Sequence, residues 1–330
     1  MLFPVIETPY RRITQPALPG WVSAMLATAR IGSASKREAA GNWEFSQSGP
    51  WSVVAVRVAE AAGMEPQSLQ EAVSAAYGQA LRIVRDHGDA QPARFWNYVP
   101  RLLAEAGPGR DRYMVFNAGR QHAFEQHYGK AQIARGLVAA SAVDSSGADF
   151  HLHVLAFDGE LRALENPRQR PAYRYSKRYG PVPPSFARAT MIEPVQPGEP
   201  RRLISAGTAS VLGEASHHQG NLSQQLRETE INLAVLIALA SVTDESVDVA
   251  AIEQSPSVRR ELLSACRHVR GYVAAHEHEE SVRSSLAQTF IGAKSIEIMP
   301  AALCRRELLV EIEVMAELDH ATGSAKSLQK

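Results

Sequence analysis

The same order of predicted secondary structure occurs in both halves of the chain, and this repeat restricts the possible folds more than any other sequence feature. From about Trp51 to Glu160, the hydrophobic pattern predicts the order β-α-β-α-β-β. The second half shows the same order after one additional strand. Self-similarity on this scale indicates two copies of one structural unit. Each copy would carry its helices on one face of a sheet, so the other face must meet a second layer.

Two of the predicted helices carry clear boundary signals. In MEPQSLQEAVSAAYGQALRIVRDHG, apolar residues recur at helical spacing, Pro66 suits the first turn and Gly88 suits the end. In NLSQQLRETEINLAVLIALASV, Asn221 can cap the first turn, and Gln224 lies three residues further on. Together with the predicted strands, these helices give an α+β fold of two tandem βαβαββ units, with helices on one face of each sheet.

The length and one proline-rich segment predict the division into domains. A chain of 330 residues has the length of about two domains. The segment NPRQRPAYRYSKRYGPVPP contains five prolines and separates the two repeats. We predict an N-terminal domain over residues 1–160, with an irregular lead-in over residues 1–50. A linker would span residues 161–184, and a C-terminal domain would span residues 185–330.

Charge and cysteine content exclude several classes of partner and compartment. The 35 basic and 35 acidic side chains balance, which disfavours nucleic acid or a membrane surface as a partner. Two cysteines, Cys266 and Cys304, are too few for a disulfide scaffold. No apolar run reaches the roughly 18 residues of a membrane-spanning helix, and no signal peptide is evident. We therefore expect a cytoplasmic protein.

A strand with two carboxylates is predicted near the C-terminus, in CRRELLVEIEVMAEL. Its apolar residues fall on the face expected to pack against the helices: Leu308, Val310, Ile312 and Val314. Glu311 and Glu313 fall on the opposite face with Leu309. That face is either exposed to solvent or directed into a cleft between the domains, where ligand sites are common.

Two further segments have the composition of anion sites. The segment from Tyr173 to Thr190 combines four cationic side chains with three tyrosines and several prolines. Arginine side chains there would bind carboxylates, although an exposed basic linker has the same composition. The segment SAGTASVLGEASHHQGN precedes a helix, so its backbone amides could bind an anion, although a plain turn is the simpler interpretation.

Metal and nucleophile signals are weak. His276 and His278 flank Glu277, but this spacing lacks the three or four converging ligands of a zinc site. No serine-based triad is evident, and Cys266 falls in a segment that we interpret as an amphipathic helix. We expect neither a metal ion nor an organic cofactor.

Five strings together resemble the chorismatase family: RFWNYVP, FNAGR, YSKRYGPVPPSFARAT, SAGTASVLGEASHHQGN and CRRELLVEIE. The resemblance extends from about Trp51 to Leu318. Each half is also similar to the RidA-like fold, a βαβαββ unit. The resemblance implies that residues 161–184 form a substrate loop and that the C-terminal domain is catalytic. It also implies a single-chain enzyme that works as a monomer, because two fused units cover surfaces that single units cover by forming trimers.

The resemblance implies cleavage of chorismate to pyruvate and 3-hydroxybenzoate, in some members with 4-hydroxybenzoate. One alternative is the hydrolytic branch, which leaves a dihydroxycyclohexadiene carboxylate. A second is a RidA-like imine or enamine deaminase, although the long SKRYGPVPPSFARAT segment is not expected there. A third is a catalytically silent binding protein, which should lack the acid.

The resemblance also assigns site residues. Glu311 matches the catalytic glutamate that would protonate the enol ether, and Glu313 is the alternative on the same face. Cys304 resembles the branch that forms 3-hydroxybenzoate. The carboxylates of the substrate would be held by Arg120, Arg178 and Arg188, with Tyr179 adding a hydroxyl. The ring would be bordered by Gly207, Thr208 and Ser210. Arg305 would either bind the substrate or only keep the loop that carries it in contact with solvent.

Overall fold

The computed structural model describes residues 17–27, 36–38, 41–242 and 247–318. Within these ranges it is built from two large sheets, a small two-stranded sheet and seven α-helices. No helix in the described part of the chain is both long and apolar enough to span a bilayer.

The first sheet has six strands in the order β1-β2-β3-β6-β4-β5. Their bounds are β1 Lys36–Glu38, β2 Gly41–Ser48, β3 Trp51–Val58, β4 Gln91–Pro100, β5 Ala139–Ser145 and β6 Phe150–Phe157. Strands β4 and β5 are parallel, and the other neighbouring strands are antiparallel.

The second sheet has seven strands, of which six follow the order β14-β13-β15-β9-β8-β7, while β10 pairs with β15. Their bounds are β7 Leu161–Leu164, β8 Ala189–Ile192, β9 Arg201–Ser205, β10 Thr208–Ala209, β13 Cys266–Val273, β14 Ser295–Pro300 and β15 Val310–Leu318. The small sheet pairs β11 Val211–Leu212 with β12 Ala215–Ser216.

The two large sheets repeat one topology. The order β3-β6-β4-β5 in the first sheet matches β9-β15-β13-β14 in the second. The parallel pair is β4 with β5 in the first set and β13 with β14 in the second, and a helix joins the two strands in each case. The remaining pairs are antiparallel. The predicted α+β fold of two tandem units is therefore confirmed.

The bounds of the helices are α1 Gly20–Ala27, α2 Pro66–Asp86, α3 Arg112–Tyr128, α4 Leu222–Ser241, α5 Val249–Gln254, α6 Pro256–Leu263 and α7 Glu279–Thr289. Helices α2 and α3 cover one face of the first sheet, and α4 to α7 cover one face of the second. Helix α1 instead packs against the apolar residues between the two sheets. Helix α2 begins with Pro66 and buries its predicted apolar stripe. Asn221 caps α4 as predicted, since its Oδ1 accepts from the Gln224 amide at 3.1 Å.

Helix α3 packs closely on α2 because it has a glycine at the contact. A Cβ added at Gly119 would lie 2.4 Å from the carbonyl oxygen of Gln70 and 2.9 Å from the Cβ of Val73. Only a residue without a side chain allows the two backbones to approach this closely. This contact fixes α3, whose first turn reaches the site described below.

Three hydrophobic clusters hold the layers together. One lies between the first sheet and α2 and α3, and a second lies between the second sheet and its helices. The third lies between the open faces of the two sheets and includes Trp96 and Tyr98 of β4 and Tyr272 of β13. Val310, Ile312 and Val314 pack under the helices as expected, but Leu308 belongs to the third cluster because it precedes β15 in an irregular loop.

The structure differs from the sequence-based expectations in three segments. The predicted irregular lead-in contains α1 and the full-length strand β2, which pairs with β3. Cys266, expected on a helix, is the first residue of β13, because the amphipathic helical pattern before it ends at Leu263. The predicted linker contains β7, which pairs with β8. The proposed domain limits remain a prediction.

Candidate active site

A cavity of about 280 Å³ lies where the two units and the segment between them meet. The first unit contributes Leu103, Asp111, Tyr113 and Met114. The intervening segment contributes Gln169, Tyr175, Arg178, Tyr179, Pro184, Phe186 and Arg188. The second unit contributes Gly207, Ala209, Val211, Cys304, Arg305, Arg306, Glu307, Leu308 and Glu311. The cavity is thus lined by many cationic and aromatic side chains.

Glu311 is a buried carboxyl at this cavity. It lies on β15 between Ala209 of β10 and Tyr272 of β13, and only 4% of its surface is exposed. No hydrogen-bond partner among the described residues reaches its Oε1 atom. Burial and, second, the nearby Glu313 raise the pKa of Glu311 to about 8, although Arg94 acts to lower it. At neutral pH, Glu311 is therefore mainly a neutral acid with a proton to donate.

Gly207 makes room for this carboxyl group. A Cβ added at Gly207 would lie 1.9 Å from Oε1 of Glu311 and 2.5 Å from its Cδ. The Gly207 amide donates to the carbonyl of Ala140 in the first sheet, which fixes the glycine backbone beside Glu311. Any larger residue at this position would displace the acid.

Glu313 has different surroundings from Glu311, although both lie on the same face of β15. Its Oε2 accepts from Nη2 of Arg94 at 2.5 Å, and its Oε1 accepts from the Trp96 indole at 2.9 Å. The Ser141 hydroxyl lies 3.4 Å from Oε2. Glu313 does not line the cavity. Both oxygens of Glu313 thus accept hydrogen bonds from the first sheet, whereas Oε1 of Glu311 has no partner in the described structure and can contact a ligand.

Two arginines of the cavity are held in place by polar and aromatic contacts. Arg188 donates through Nη2 to the Tyr175 hydroxyl at 2.7 Å, and its buried Nε has no partner in the described structure. Arg305 lies over the Tyr179 ring at 4.0 Å and donates to the carbonyl of Glu214 and the hydroxyl of Ser216. Both guanidinium groups are therefore ordered before a ligand binds.

Arg178 and Cys304 complete the set of predicted residues that line the cavity. Arg178 is exposed and lies 5.6 Å from the centre of the Tyr179 ring. Burial and, second, the nearby Glu311 raise the pKa of the Cys304 thiol to about 12. Cys304 is accordingly a neutral thiol at physiological pH and presents a poorly hydrated sulfur to the cavity.

Three predicted site residues do not line the cavity but lie behind its wall. Arg120 is buried on α3, where it donates to Oδ1 of Asn117 and lies over the Phe116 ring. The Thr208 hydroxyl donates to the carbonyl of Ala206, and the Ser210 hydroxyl donates to the carbonyl of His217. These two hydroxyls stabilise the segment that carries Gly207 and Ala209, so contact with a ligand would require them to reorient.

Several lining residues had not been singled out from the sequence: Tyr113, Met114, Gln169, Tyr175 and Phe186. A signal for Tyr113 was present, since residues 113, 117 and 120 share one face of a helix. Burial raises the pKa of Tyr113, which keeps its hydroxyl protonated. Tyr175 and Phe186 lie in the segment from Tyr173 to Thr190, whose composition is that of an anion site.

The described residues contain no group of three or more His, Cys, Asp or Glu side chains that could hold a metal ion. The residues that line the cavity offer a buried acid, a neutral thiol and fixed cations. This set suits a small anionic substrate that reacts by protonation.

Comparisons with known proteins point in one direction. A family model described as chorismatase FkbO/Hyg5-like, N-terminal, matches residues 29–156. A 3-hydroxybenzoate synthase from Streptomyces hygroscopicus is 32% identical over 245 residues, which cover 74% of this chain and 68% of that protein. A chorismatase from the same organism is 30% identical and is covered over 67% of its length, by 74% of this chain. A chorismatase crystal structure has a TM-score of 0.69 at 25% identity, covering 86% of this chain and 78% of that chain.

Replacement of Glu311 is expected to change how stability depends on pH. Because the pKa of this carboxyl is about 8 in the folded protein against an ordinary 4.5, wild-type stability should fall as pH rises through this interval. Glu311→Gln removes that loss, so its free energy of unfolding relative to wild type should rise between pH 5 and pH 9, by up to about 5 kcal/mol. Urea unfolding at both pH values measures the difference. The exposed Glu261→Gln serves as the control, and a Glu311→Gln difference that does not vary with pH would contradict the assignment.

Proposed function

The chain belongs to the chorismatase family, and we propose that it cleaves chorismate into pyruvate and 3-hydroxybenzoate. The observation that carries the proposal is the buried, protonated carboxyl of Glu311 at a cavity lined by arginines. Chorismate carries a ring carboxylate and an enolpyruvyl carboxylate joined to the ring through an enol ether. The site offers cations for the two carboxylates and an acid for the enol ether.

The arginines of the cavity would hold the substrate. Arg188 and Arg305 are ordered by Tyr175 and Tyr179, and Arg178 lies at the exposed side. Hydrogen bonds between charged groups contribute roughly 1.5–3 kcal/mol each. Two such contacts on opposite sides of the ring would orient the substrate with its side chain toward Glu311. Arg120, which lies behind the wall, would act on the substrate only through Asn117 and Tyr113 or after reorientation.

Glu311 would donate its proton to the terminal methylene carbon of the enolpyruvyl group. Protonation makes the side chain a cation-like leaving group: the bond between the ring carbon and the ether oxygen breaks, and the side chain departs as pyruvate with that oxygen. The oxygen of the neighbouring ring hydroxyl then moves to the vacated ring carbon, which gives the 3-hydroxy product. Chorismate has the same atoms as pyruvate and 3-hydroxybenzoate together, so this branch consumes no water. The ring loses one proton as it becomes aromatic, and that proton restores Glu311. The hydrolytic branch instead adds one water molecule, so exclusion of water would decide the product.

Cys304 is the residue that we infer to exclude that water. Its thiol is neutral and lines the cavity close enough to Glu311 for that carboxyl to raise the pKa of the thiol. A polarisable sulfur makes poor hydrogen bonds and fills space where water would otherwise be ordered. A cysteine at this position therefore favours aromatisation over hydrolysis.

The assembly and compartment follow from the same proposal. The open faces of the two sheets pack against each other through one hydrophobic cluster, which removes the main reason for trimer formation. We therefore propose a monomer with an N-terminal domain over residues 1–160 and a catalytic domain over residues 185–330. Both cysteines are free, which is compatible with the reducing cytoplasm that we propose as its compartment.

Purified protein incubated with chorismate, without added metal or cofactor, is expected to release pyruvate and 3-hydroxybenzoate in equal amounts. Glu311→Gln should fold normally and lose nearly all turnover, because an amide cannot supply the proton. Lactate dehydrogenase coupling measures pyruvate, and chromatography identifies the aromatic product. A dominant dihydroxycyclohexadiene carboxylate would refute the branch assignment, and full activity in Glu311→Gln would refute the acid. No pyruvate from the wild type would refute the function.

Replacement of Cys304 by alanine is expected to shift the products toward the dihydroxycyclohexadiene carboxylate, because the smaller side chain admits water near the cation-like group. The expected change is several-fold in product ratio, with total pyruvate release within about tenfold of wild type. Quantitative chromatography of the aromatic and dihydrodiol fractions measures it. Cys266→Ala, at a buried position in β13 away from the cavity, is the matched control. An unchanged product ratio in Cys304→Ala would remove this role.

Gly207→Ala is expected to lower kcat by about 100-fold or more, since the added methyl group occupies the position of the Glu311 carboxyl. Steady-state kinetics with chorismate measure kcat, and circular dichroism reports on folding. Gly78→Ala is the matched control, because a Cβ at Gly78 would meet no atom within 4 Å. Wild-type kcat in Gly207→Ala would show that the carboxyl acts from another position.

A further inference from the structure

The ion pair that surrounds Glu313 lies directly beside the acid and is not used in the reaction described above. Successive residues of a strand alternate between faces, so the side chains of Glu311 and Glu313 project the same way, about 7 Å apart along β15. Each has a cross-strand neighbour on β13: Tyr272 for Glu311 and Arg270 for Glu313. The four side chains form one patch on the face of the second sheet that meets the first sheet.

The contacts of Glu313 identify it as the charged member of the two glutamates. Both of its oxygens accept hydrogen bonds, from Arg94 and Trp96, and the Arg270 guanidinium lies 4.0 Å from Oε1. The Arg94 side chain has no exposed surface, and that of Glu313 is 7% exposed. A carboxyl group that only accepts, and that faces two guanidinium groups, is ionised.

Stability alone does not explain a buried ion pair at this position. Removing two charges from water costs about as much as their attraction returns, so an apolar pair of the same volume is often as stable. The pair does have a geometric effect, because Arg94 and Trp96 lie on β4 of the first sheet and Glu313 lies on β15 of the second. The pair therefore fixes the position of β15 relative to the first sheet, and thereby the position of Glu311.

The electrostatic surroundings of Glu311 come from several elements. Next to it lie Glu313 on β15, Arg94 on β4 and Tyr272 on β13. The other titratable groups of the cavity are Asp111 and Tyr113 at the start of α3, Tyr175, Arg178, Tyr179 and Arg188 before β8, and Cys304, Arg305, Arg306 and Glu307 before β15. Glu313 is the strongest electrostatic influence on Glu311 after burial itself, and it outweighs Arg94. In a site lined by arginines, this fixed negative charge counteracts the tendency of the cations to ionise the acid.

We propose that the Glu313–Arg94 pair is a positioning pair for the catalytic acid: it fixes Glu311 between the sheets, and the charge of Glu313 opposes ionisation of Glu311. This inference rests on the proposed function, in which Glu311 donates the proton. At a separation of about 7 Å and an effective dielectric constant near 20, one charge changes the proton affinity of its neighbour by roughly tenfold or more. The pair thus extends the pH range over which the enzyme holds its proton.

The test is the pH profile of kcat with chorismate. Wild-type kcat should fall as pH rises past the pKa of Glu311. Glu313→Gln removes the negative charge and leaves Arg94 uncompensated, so the alkaline fall should move to lower pH by about one unit or more. The double variant Arg94→Gln with Glu313→Gln removes both charges and keeps an amide–amide contact. The pH at which kcat of the double variant falls should lie between the values for Glu313→Gln and wild type. The double variant also keeps the test possible if Glu313→Gln fails to fold.

Glu297→Gln is the matched control. Glu297 pairs with Arg270 at 2.5 Å and accepts from the Gly20 amide, so its loss breaks a comparable ion pair in the same layer without changing the charge beside Glu311. Its pH profile should match wild type even if its thermal stability falls. A merely structural role for Glu313 would leave the pH at which kcat falls unchanged in Glu313→Gln, as in Glu297→Gln, and that result would overturn the inference.

A second measurement does not depend on turnover. The protonated carboxyl of Glu311 gives an infrared band that Glu311→Gln lacks, and its loss with rising pH reports the titration directly. In Glu313→Gln the midpoint should move to lower pH, and an unchanged midpoint would refute the inference while leaving the function intact. Failure of the wild type to release pyruvate would refute the proposed function itself.

Discussion

The long helices of each unit lie on one face of its sheet, and the packing of the two open faces against each other sets the surroundings of Glu311. The strands of that layer alternate: Phe95 and Val99 of β4 face the helices, whereas Trp96 and Tyr98 face the other sheet. The layer is apolar except for a few paired groups, among them Arg94 with Glu313. A carboxyl at its edge, such as Glu311, loses water on one side and meets the cavity on the other.

The two units share a topology but have diverged chemically in this layer. Glu311 and Glu313 lie opposite Tyr272 and Arg270, respectively, on the neighbouring strand β13. The corresponding residues of the first sheet are His151 and His153, which pair with Tyr98 and Trp96 of β4. Burial lowers the pKa of His153 to about 3, so this side chain is neutral. At these matching positions, the second unit therefore carries an acid beside a fixed charge, whereas the first unit carries two histidines.

The site reconciles two opposing requirements. In the proposed reaction, the arginines would bind a dianion and thereby also favour ionised carboxylates, whereas Glu311 would have to keep its proton. Burial of Glu311 and the negative charge of Glu313 oppose the cations, and the carboxylates of a bound substrate would neutralise Arg188 and Arg305 further. The Tyr175 hydroxyl and the Tyr179 ring hold those arginines in place, and neither is a carboxylate. Binding and protonation are thus compatible in one small cavity.

The sequence determined the repeat, the helix boundaries and the common face of Glu311 and Glu313, because these follow from local periodicity and capping. It misplaced Cys266 and missed α1 and β2, where the local pattern was ambiguous or absent. Which glutamate is free was decided only by the tertiary structure, since the Arg94 partner of Glu313 is 219 residues away. The same holds for Tyr113, which lines the cavity, and for Arg120, Thr208 and Ser210, which lie behind it. Long-range packing sets burial and charge neighbours, and these decide whether a carboxyl is a structural anion or an acid.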